Sequence, residues 1–326
     1  MIDPEDKLTP PTFRDVMLAR RRIAPHLRPT PVYQSPLLDD ALGFEAFVKC
    51  ESVQPTGAFK VRGGINLMSV LPEELKRRGV ITASSGNHGQ SIAYAGKTFG
   101  TRVIVHVPAS TSSVKVRTME VLGAEVVARG KDYDEAREMA EDRAEREGYY
   151  YIHNANEPYL IAGVGTVVLE LLETVPDLEV LLIPVGGGSG ACGGGLVAKT
   201  LNPDIRVIGV QAEGADAVYR SWRDGRLQQT PEVATFAEGL ATRVAFELPF
   251  KMLRQLLDDF ILVSDGEMWA GIRFLLENAH MVSEGAGAAT TAAALKLAPE
   301  LRGRRVGLIL SGGNLSLDRL RTALGE

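Results

Sequence analysis

Short apolar and β-branched runs alternate along the chain with segments that have the spacing of amphipathic helices. The runs predict strands at Ala46–Cys50, Val80–Ala83, Arg102–Val107, Glu125–Ala128, Val180–Val185, Arg206–Gln211, Phe260–Val263 and Val306–Leu310. Helices are predicted between them, among others at His88–Phe99, Thr111–Leu122, Tyr133–Glu147 and Gly163–Leu172. Several strands are almost wholly apolar, as strands covered on both faces should be. The pattern therefore predicts an α/β fold with open, mainly parallel twisted sheets flanked by helices.

The order of elements also predicts two domains. From about Val80 to Glu147 the pattern is β-α-β-α-β-α, which is enough for a small sheet of its own. The residues before and after this segment could together form a larger sheet. We therefore predict a small domain at residues 80–147 and a larger, discontinuous domain at residues 1–79 plus 148–326.

Composition and charge narrow the class of protein. The chain has 326 residues, of which 45% are hydrophobic and 24% charged, as in an ordinary globular protein. A net charge of −5 argues against nucleic-acid or anionic membrane partners. The sequence contains no apolar run near the ~20 residues of a membrane span. Met1–Asp6 is acidic and lacks a signal-peptide core, and the two cysteines make no disulfide framework, so we expect a cytoplasmic protein.

The stretch Gln54–Lys60 places a lysine just after a Pro-Thr-Gly turn, in an apolar setting. Thr56 is predicted to cap a helix, which would put Lys60 in its first turn, near the positive end of the dipole. A cation is disfavoured there, so we expect a lowered pKa and a nucleophilic amine suited to Schiff-base chemistry. An isolated lysine is more often an ordinary solvated side chain, and other motifs must decide.

Three loops follow predicted strands and open helices, at the sheet edge where ligands bind in parallel α/β folds. Gly186–Gly190 has four glycines in five positions, so its backbone N–H groups could converge on a phosphate. A flexible turn or close helix packing would explain it as well. The loop matches neither the dinucleotide fingerprint nor the nucleotide-triphosphate loop, which favours another phosphate-bearing cofactor.

The other two loops are polar rather than glycine-rich. Ser84–Gln90 offers hydroxyls, an amide, an imidazole and backbone donors, a set that suits a carboxylate. An elaborate N-cap by Ser85 or Asn87 is the alternative. In Ser311–Asn314 the serine hydroxyl could bond a ring nitrogen without imposing a charge, although the segment alone is an ordinary turn.

In combination and order, these motifs resemble the pyridoxal-phosphate enzymes of fold type II, the tryptophan synthase β fold. Within them the chain is most similar to the threonine/serine dehydratase and serine racemase branch, over nearly its whole length. Asn87–Gln90, read Asn-His-Gly-Gln, favours this branch over cysteine-synthase relatives. The resemblance implies pyridoxal 5'-phosphate in a cleft between a large cofactor-binding domain and a small substrate-side domain.

The resemblance also implies roles for individual residues. Lys60 would hold the cofactor as a Schiff base and remove the substrate's α-proton. The remaining cofactor contacts would be Phe59, Asn87, Gly186, Gly187, Gly188, Ser189, Gly190 and Ser311, with Ser311 facing the pyridine nitrogen. The substrate carboxylate would be surrounded by Ser84, Ser85, Gly86 and His88.

The implied reaction is elimination from a β-hydroxy amino acid, such as L-threonine or L-serine, to a 2-oxo acid and ammonia. The alternatives are a racemase, with Ser85 as a second acid/base, or a dehydratase of another substrate such as 3-hydroxyaspartate. A β-replacement synthase would share the cofactor and fold, whereas a non-catalytic cofactor-binding protein would usually lack Lys60. We expect a homodimer or homotetramer, and no C-terminal regulatory domain.

Three positions depart from the branch. Ser189 replaces a fourth consecutive glycine, which should alter the phosphate loop only slightly. His153–Pro158 differs from the usual dehydratase segment, which leaves the preferred β-substituent open. Gln211 stands where relatives with a divalent-cation site often carry glutamate. An amide is a weaker ligand for such an ion, so we expect no metal.

Overall fold

The computed structural model describes residues 7–131 and 133–325, so the expectation for the acidic residues 1–6 lies outside it. The strands are β1 (Val32–Tyr33), β2 (Glu45–Cys50), β3 (Val80–Ala83), β4 (Val103–Val107), β5 (Ala124–Ala128), β6 (Tyr150–Tyr151), β7 (Val180–Pro184), β8 (Arg206–Ala212), β9 (Asp259–Val263) and β10 (Arg305–Leu310). All predicted strands are confirmed to within one residue at either end.

Helices connect the strands in the predicted alternation. They are α1 (Phe13–Ile23), α2 (Pro36–Leu42), α3 (Lys60–Val70), α4 (Glu73–Arg78), α5 (Asn87–Phe99), α6 (Ser113–Val121), α7 (Tyr133–Glu147), α8 (Pro158–Thr174), α9 (Ser189–Leu201), α10 (Ala217–Asp224), α11 (Glu247–Leu256), α12 (Asp265–Ala279), α13 (Gly285–Lys296), α14 (Ala298–Leu301) and α15 (Leu317–Leu324). Among the described residues, no helix combines the length and apolar character needed to cross a membrane.

The strands form two separate sheets. One has six strands in the order β1-β2-β10-β7-β8-β9, and the other has four in the order β5-β4-β3-β6. Strand β1 runs antiparallel to β2, whereas the pairings of β2 through β10 in both sheets are parallel. The predicted fold class, with mainly parallel sheets flanked by helices, is confirmed.

The chain divides into two compact units. The first comprises Met1–Arg28 and Lys60–Val164 and contains the four-stranded sheet. The second comprises Pro29–Phe59 and Gly165–Glu326 and contains the six-stranded sheet. The predicted small domain, residues 80–147, lies within the first unit, and its boundaries stay a prediction. The chain passes from the second unit to the first at the peptide bond between Phe59 and Lys60.

In the first unit, α3 packs closely on α5. A Cβ added at Gly64 of α3 would lie 2.5 Å from the Ser91 hydroxyl of α5, so only glycine allows this approach. Because the helices are so close, the Ser91 hydroxyl also donates to the carbonyl of Lys60, at 2.6 Å. The start of α3 is thereby held against α5.

In the second unit, a buried polar network lies at the end of β2, beneath an otherwise apolar sheet. Lys49 is fully buried and pairs with Glu170 at 2.6 Å, while it also donates to the carbonyl of Thr30 at 2.7 Å. The Thr30 hydroxyl donates to Glu51, which also accepts from the Gln54 amide at 3.3 Å. Buried charges need such partners, because an unpaired one would cost several kcal/mol. The network therefore holds the chain where β2 leads towards Lys60.

The first unit also contains a buried, neutral histidine after β6. His153 Nδ1 accepts N–H groups from Ala155 and Asn156, both at 3.0 Å, so this nitrogen carries no proton. Burial, together with the positive charges of Lys7 and Arg137, lowers the pKa of His153 to about 4. Protonation at Nδ1 would break both hydrogen bonds and place a cation near two others.

Acidification should therefore destabilise the protein through His153, and His153→Asn should reduce that dependence. The stabilisation is complete above the ordinary pKa of 6.5 and is lost as pH falls towards 4, where the folded state is protonated. The full loss amounts to about 3 kcal/mol. Asparagine keeps an oxygen acceptor for the two N–H groups but does not titrate. Urea unfolding between pH 4.5 and 7.5, followed by circular dichroism, measures the difference.

The matched control is His280→Asn. His280 is exposed and has a φ of 57°, a conformation that asparagine tolerates. This variant should keep the wild-type pH slope. Comparison with the wild type also cancels the opposite contribution of Glu157, whose pKa burial raises to about 6. An unchanged pH slope in His153→Asn would contradict the assignment.

Candidate functional site

The residues before Lys60, which we call the lysine arm (Gln54–Phe59), lie against the turn that follows β10. The Phe59 N–H donates to the carbonyl of Ser311 at 3.0 Å. Ala58 and Gly312 form an antiparallel bridge. The last residue before Lys60 is thus fixed to Ser311 by backbone atoms, independently of side-chain identity.

Gly57 makes this pairing possible. Its φ of +67° belongs to the left-handed region, where glycine is the favoured residue. A Cβ added there would clash with the side-chain oxygen of Asn314. That side chain in turn donates to the Thr56 carbonyl at 2.9 Å, and Gly313 N–H donates to the Gly57 carbonyl at 2.9 Å. The Pro-Thr-Gly turn is therefore shaped to fit the Ser311–Asn314 turn.

The predicted capping role of Thr56 is wrong, whereas the placement of Lys60 in the first turn is confirmed. Helix α3 begins at Lys60, four residues after Thr56, which is too far for a cap. The Thr56 hydroxyl donates instead to the Ala58 carbonyl at 3.3 Å. The physical reason is the bridge to Gly312, which keeps the arm extended through Phe59.

The glycine loop follows β7 and leads into α9. Gly188 occupies the N-cap of this thirteen-residue helix with a φ of 96°, and as glycine it has no side chain to cap the helix. A Cβ at Gly186 would clash with the Gly239 carbonyl, and one at Gly190 would lie 3.0 Å from the Phe59 ring. Close packing therefore explains Gly186 and Gly190, and the helix start remains open to an anion.

These contacts bring three predicted cofactor elements together within the second unit. The Phe59 ring lies over Gly190, and the Phe59 backbone is bonded to Ser311. Ser311 is buried, and Ser189 is the buried first residue of α9. The N–H groups at a helix start and the helix dipole bind phosphate. This part of the chain therefore fits a phosphate-bearing, ring-containing cofactor.

In the first unit, the loop Ser84–Gly86 joins β3 to α5. The N-cap of this thirteen-residue helix is Gly86, and Asn87 is its first residue. The N-cap that the sequence left open for Ser85 or Asn87 is thus occupied by a glycine. The Ser84 hydroxyl accepts the Gly86 N–H at 3.2 Å, which curls the loop over the helix start. An added Cβ at Gly86 would meet only open space, so a carboxylate has room there.

His88 is held in one neutral tautomer by a strand residue that the sequence reasoning missed. The Thr82 hydroxyl donates its single hydrogen to the Ile152 carbonyl at 2.8 Å, so it must accept from His88 Nε2 at 3.0 Å. Burial, then the positive charge of Lys60 and the proximity of His153, lowers the pKa of His88 to about 3. The signal for Thr82 was available, since it is a hydroxyl inside the apolar run Val80–Ala83.

Gln211 lies at the end of β8 and is fully buried. Its side-chain oxygen accepts the N–H of Tyr219 at 2.9 Å, in the first turn of α10. Over residues 7–131 and 133–325, no group of three or more His, Cys, Asp or Glu side chains could hold a metal ion. Gln211 therefore acts as a helix-capping side chain in this structure.

Comparison with known proteins agrees with this geometry. Residues 23–312 match the family described as pyridoxal-phosphate dependent enzyme. The L-threonine ammonia-lyase of Thermotoga maritima is 37% identical over 309 residues, covering 95% of this chain and 77% of that protein. The L-threo-3-hydroxyaspartate ammonia-lyase of Saccharomyces cerevisiae is 35% identical over 314 residues, 96% of each chain.

A solved structure gives the same result. Maize serine racemase superposes with a TM-score of 0.91 at 32% identity, covering 97% of this chain and 98% of that one. The family, its cofactor and the branch that the motifs predict are thereby confirmed. The chain belongs to the pyridoxal-phosphate dependent enzymes of fold type II, within the dehydratase and serine racemase branch.

Proposed function

We propose that the protein removes water and ammonia from a β-hydroxy amino acid, such as L-threonine or L-serine, and forms the 2-oxo acid. The observation that carries the proposal is the position of Phe59. This residue is bonded to Ser311, packs on Gly190, and is followed directly by Lys60. A reactive amine thus follows a residue that contacts both the phosphate loop and the ring partner. Similarity to two ammonia-lyases, at 37% and 35% identity, supports the reaction type.

The proposed cofactor contacts are made by backbone and neutral side-chain groups. The N–H groups of Gly186–Gly190 and the dipole of α9 hold the phosphate. The Ser311 hydroxyl faces the pyridine nitrogen, the Asn87 amide binds the phenolic oxygen, and Phe59 packs near the ring. When bound, pyridoxal phosphate supplies an electron sink for the negative charge that develops at the substrate's Cα.

Lys60 and the α5 loop carry out the remaining steps in this proposal. Ser84, Ser85 and Gly86 bind the substrate carboxylate with hydroxyl and N–H donors at the start of α5. His88 contributes as a neutral imidazole, because its low pKa excludes an ion pair at neutral pH. Lys60 Nζ, as a free amine, removes the α-proton.

Loss of the α-proton is followed by loss of the β-hydroxyl. The Cβ–O bond breaks with its electron pair, and the departing hydroxide takes up one proton and leaves as water. The neutral hydroxyl of Ser311 withdraws less charge from the ring than a carboxylate-paired ring nitrogen would, which favours this departure over prolonged storage of charge. The released enamine then takes up water and yields the 2-oxo acid and ammonia.

Two finer points belong to the same proposal. A racemase side activity would use Ser85 as a second acid/base, and the similarity to maize serine racemase supports this alternative. The segment His153–Pro158 leaves the β-substituent open, and 3-hydroxyaspartate is a further candidate because of the yeast relative.

The proposed setting is the reduced cytoplasm, and the proposed assembly is a homodimer or homotetramer. Cys50 and Cys192 are both buried thiols. Burial raises the pKa of Cys50 to about 11, which makes it a poor nucleophile for disulfide exchange. Both cysteines thus suit a compartment in which thiols stay reduced.

Gly186→Ala should weaken pyridoxal phosphate binding by tenfold or more. The new Cβ would clash with the Gly239 backbone carbonyl, which cannot rotate away as a side chain could. Overpacking of this kind costs about 1–3 kcal/mol. Titration of cofactor-free protein, followed by absorbance, gives the affinity. The control Gly266→Ala, where the nearest atom would be the Ser264 hydroxyl at 3.8 Å, should bind like the wild type.

Lys60→Ala should lower 2-oxo acid and ammonia formation by about 10³-fold, because it removes the proposed base. Assays over threonine, serine, 3-hydroxyaspartate and bulkier β-hydroxy amino acids identify the substrate. Lys76→Ala, a lysine in α4 paired with Glu73, should retain activity. Full activity in Lys60→Ala would refute the assignment, and turnover only of O-acetylserine with a thiol would show a β-replacement synthase instead.

Ser85→Ala should separate racemisation from elimination. If Ser85 is the second acid/base, D-serine formation from L-serine falls by about 10²-fold. Formation of 2-oxo acid should stay within a few-fold, because Lys60 is retained. Chiral chromatography together with the keto-acid assay measures both products. An equal loss of the two activities would show that Ser85 serves only in substrate binding.

A further inference from the structure

The glycine loop rests on a segment that has little regular structure. The backbone carbonyl of Gly239 lies so close to Gly186 that no Cβ fits between them. Gly239 belongs to a single 3-10 turn, Glu238–Leu240, in a stretch between β8 and α11. The position of the loop therefore depends on what holds this segment, which we call the support segment (Thr235–Leu240).

One end of the support segment is held by Asp265, the first residue of α12. Its carboxylate accepts the Thr235 hydroxyl at 2.6 Å and the Phe236 N–H at 3.1 Å. The Phe236 ring stacks on the Trp269 indole, with centroids 3.5 Å apart and an interplanar angle of 9°. Since the ring also fills the space next to Gly285, Phe236 is fixed on both faces.

The other end is held by Arg319 of α15. Its guanidinium donates to the carbonyl of Phe236 and pairs with Glu238 at 2.9 Å. The guanidinium carbon also lies 5.8 Å from the centre of the Phe236 ring. One fork-shaped group thus bonds two residues of the segment, which a lysine could not do with the same geometry.

From these contacts we propose that Arg319 is a positioning residue for the phosphate loop. It contacts neither Gly186 nor Gly190 itself. It acts through the support segment, whose Gly239 carbonyl sets where Gly186 lies. The proposal rests on the proposed role of the glycine loop in holding the cofactor phosphate. It makes the affinity for the phosphate, rather than the whole fold, depend on a residue of α15.

The test compares two ligands in two arginine variants of the cofactor-free protein. Arg319→Met keeps an apolar stem but loses both hydrogen bonds. Its affinity for pyridoxal phosphate should fall about tenfold, the effect of losing one charged hydrogen bond. Its affinity for pyridoxal, which has no phosphate, should stay within twofold. The control Arg321→Met is on the same helix and pairs with Asp318 at the surface, so it should match the wild type for both ligands.

A second readout follows the support segment without any ligand. Trp222→Phe leaves Trp269 as the single tryptophan, because the chain has two. In this background Arg319→Met should shift Trp269 emission to longer wavelength as the Phe236 stack loosens, whereas Arg321→Met should not. Arg319→Lys should give an intermediate result, since it restores the charge but not the fork.

The proposal is overturned if Arg319→Met binds pyridoxal phosphate like the wild type, or if its affinities for both ligands fall equally. If Arg319→Met fails to fold, Asp265→Asn takes its place, and an unchanged ratio of the two affinities overturns the proposal. An unaffected Gly186→Ala would remove the phosphate loop and this proposal together. A weakened Gly186→Ala beside an unaffected Arg319→Met would remove this proposal alone. None of these measurements depends on which amino acid is the substrate.

Discussion

The backbone pairing of Ala58 and Phe59 with the turn after β10 is the interaction on which the rest of the site depends. It joins two segments about 250 residues apart and leaves Lys60 no freedom in where its helix begins. Phe59 then contacts the glycine loop, so one dipeptide serves three parts of the proposed cofactor site. The buried Lys49–Glu170 pair strengthens the approach to this dipeptide, because it holds the end of the preceding strand.

Two helix starts with the same construction occur in the two units. Helices α5 and α9 both have thirteen residues, and a glycine occupies the N-cap of each. A serine or aspartate cap would satisfy the first N–H groups and add about 1 kcal/mol of helix stability. Glycine forgoes most of that and leaves the positive end of the helix to a ligand. The proposed anions, a carboxylate at α5 and a phosphate at α9, would replace the missing caps.

Local patterns were sufficient for the strands and for the loops at their ends, because apolar runs and glycine clusters are properties of a few adjacent residues. Strands β1 and β6 were missed, since two residues carry no periodicity. The Thr56 cap was wrong because the competing partner, Gly312, is distant in sequence. Thr82 beneath His88 and Arg319 beneath the glycine loop escaped notice for the same reason. Hydrogen bonds between distant segments leave no mark in either segment alone.

The strand order of the larger sheet has a consequence for how the chain folds. Strand β10 lies between β2 and β7, although both are synthesised more than 100 residues earlier. Until residues 305–310 emerge from the ribosome, the facing edges of β2 and β7 have no partner, and unpaired edges invite association with other chains. The turn that receives the lysine arm forms only after that strand. The nascent chain therefore completes its cofactor site last, and a chain interrupted before β10 would expose two strand edges to aggregation.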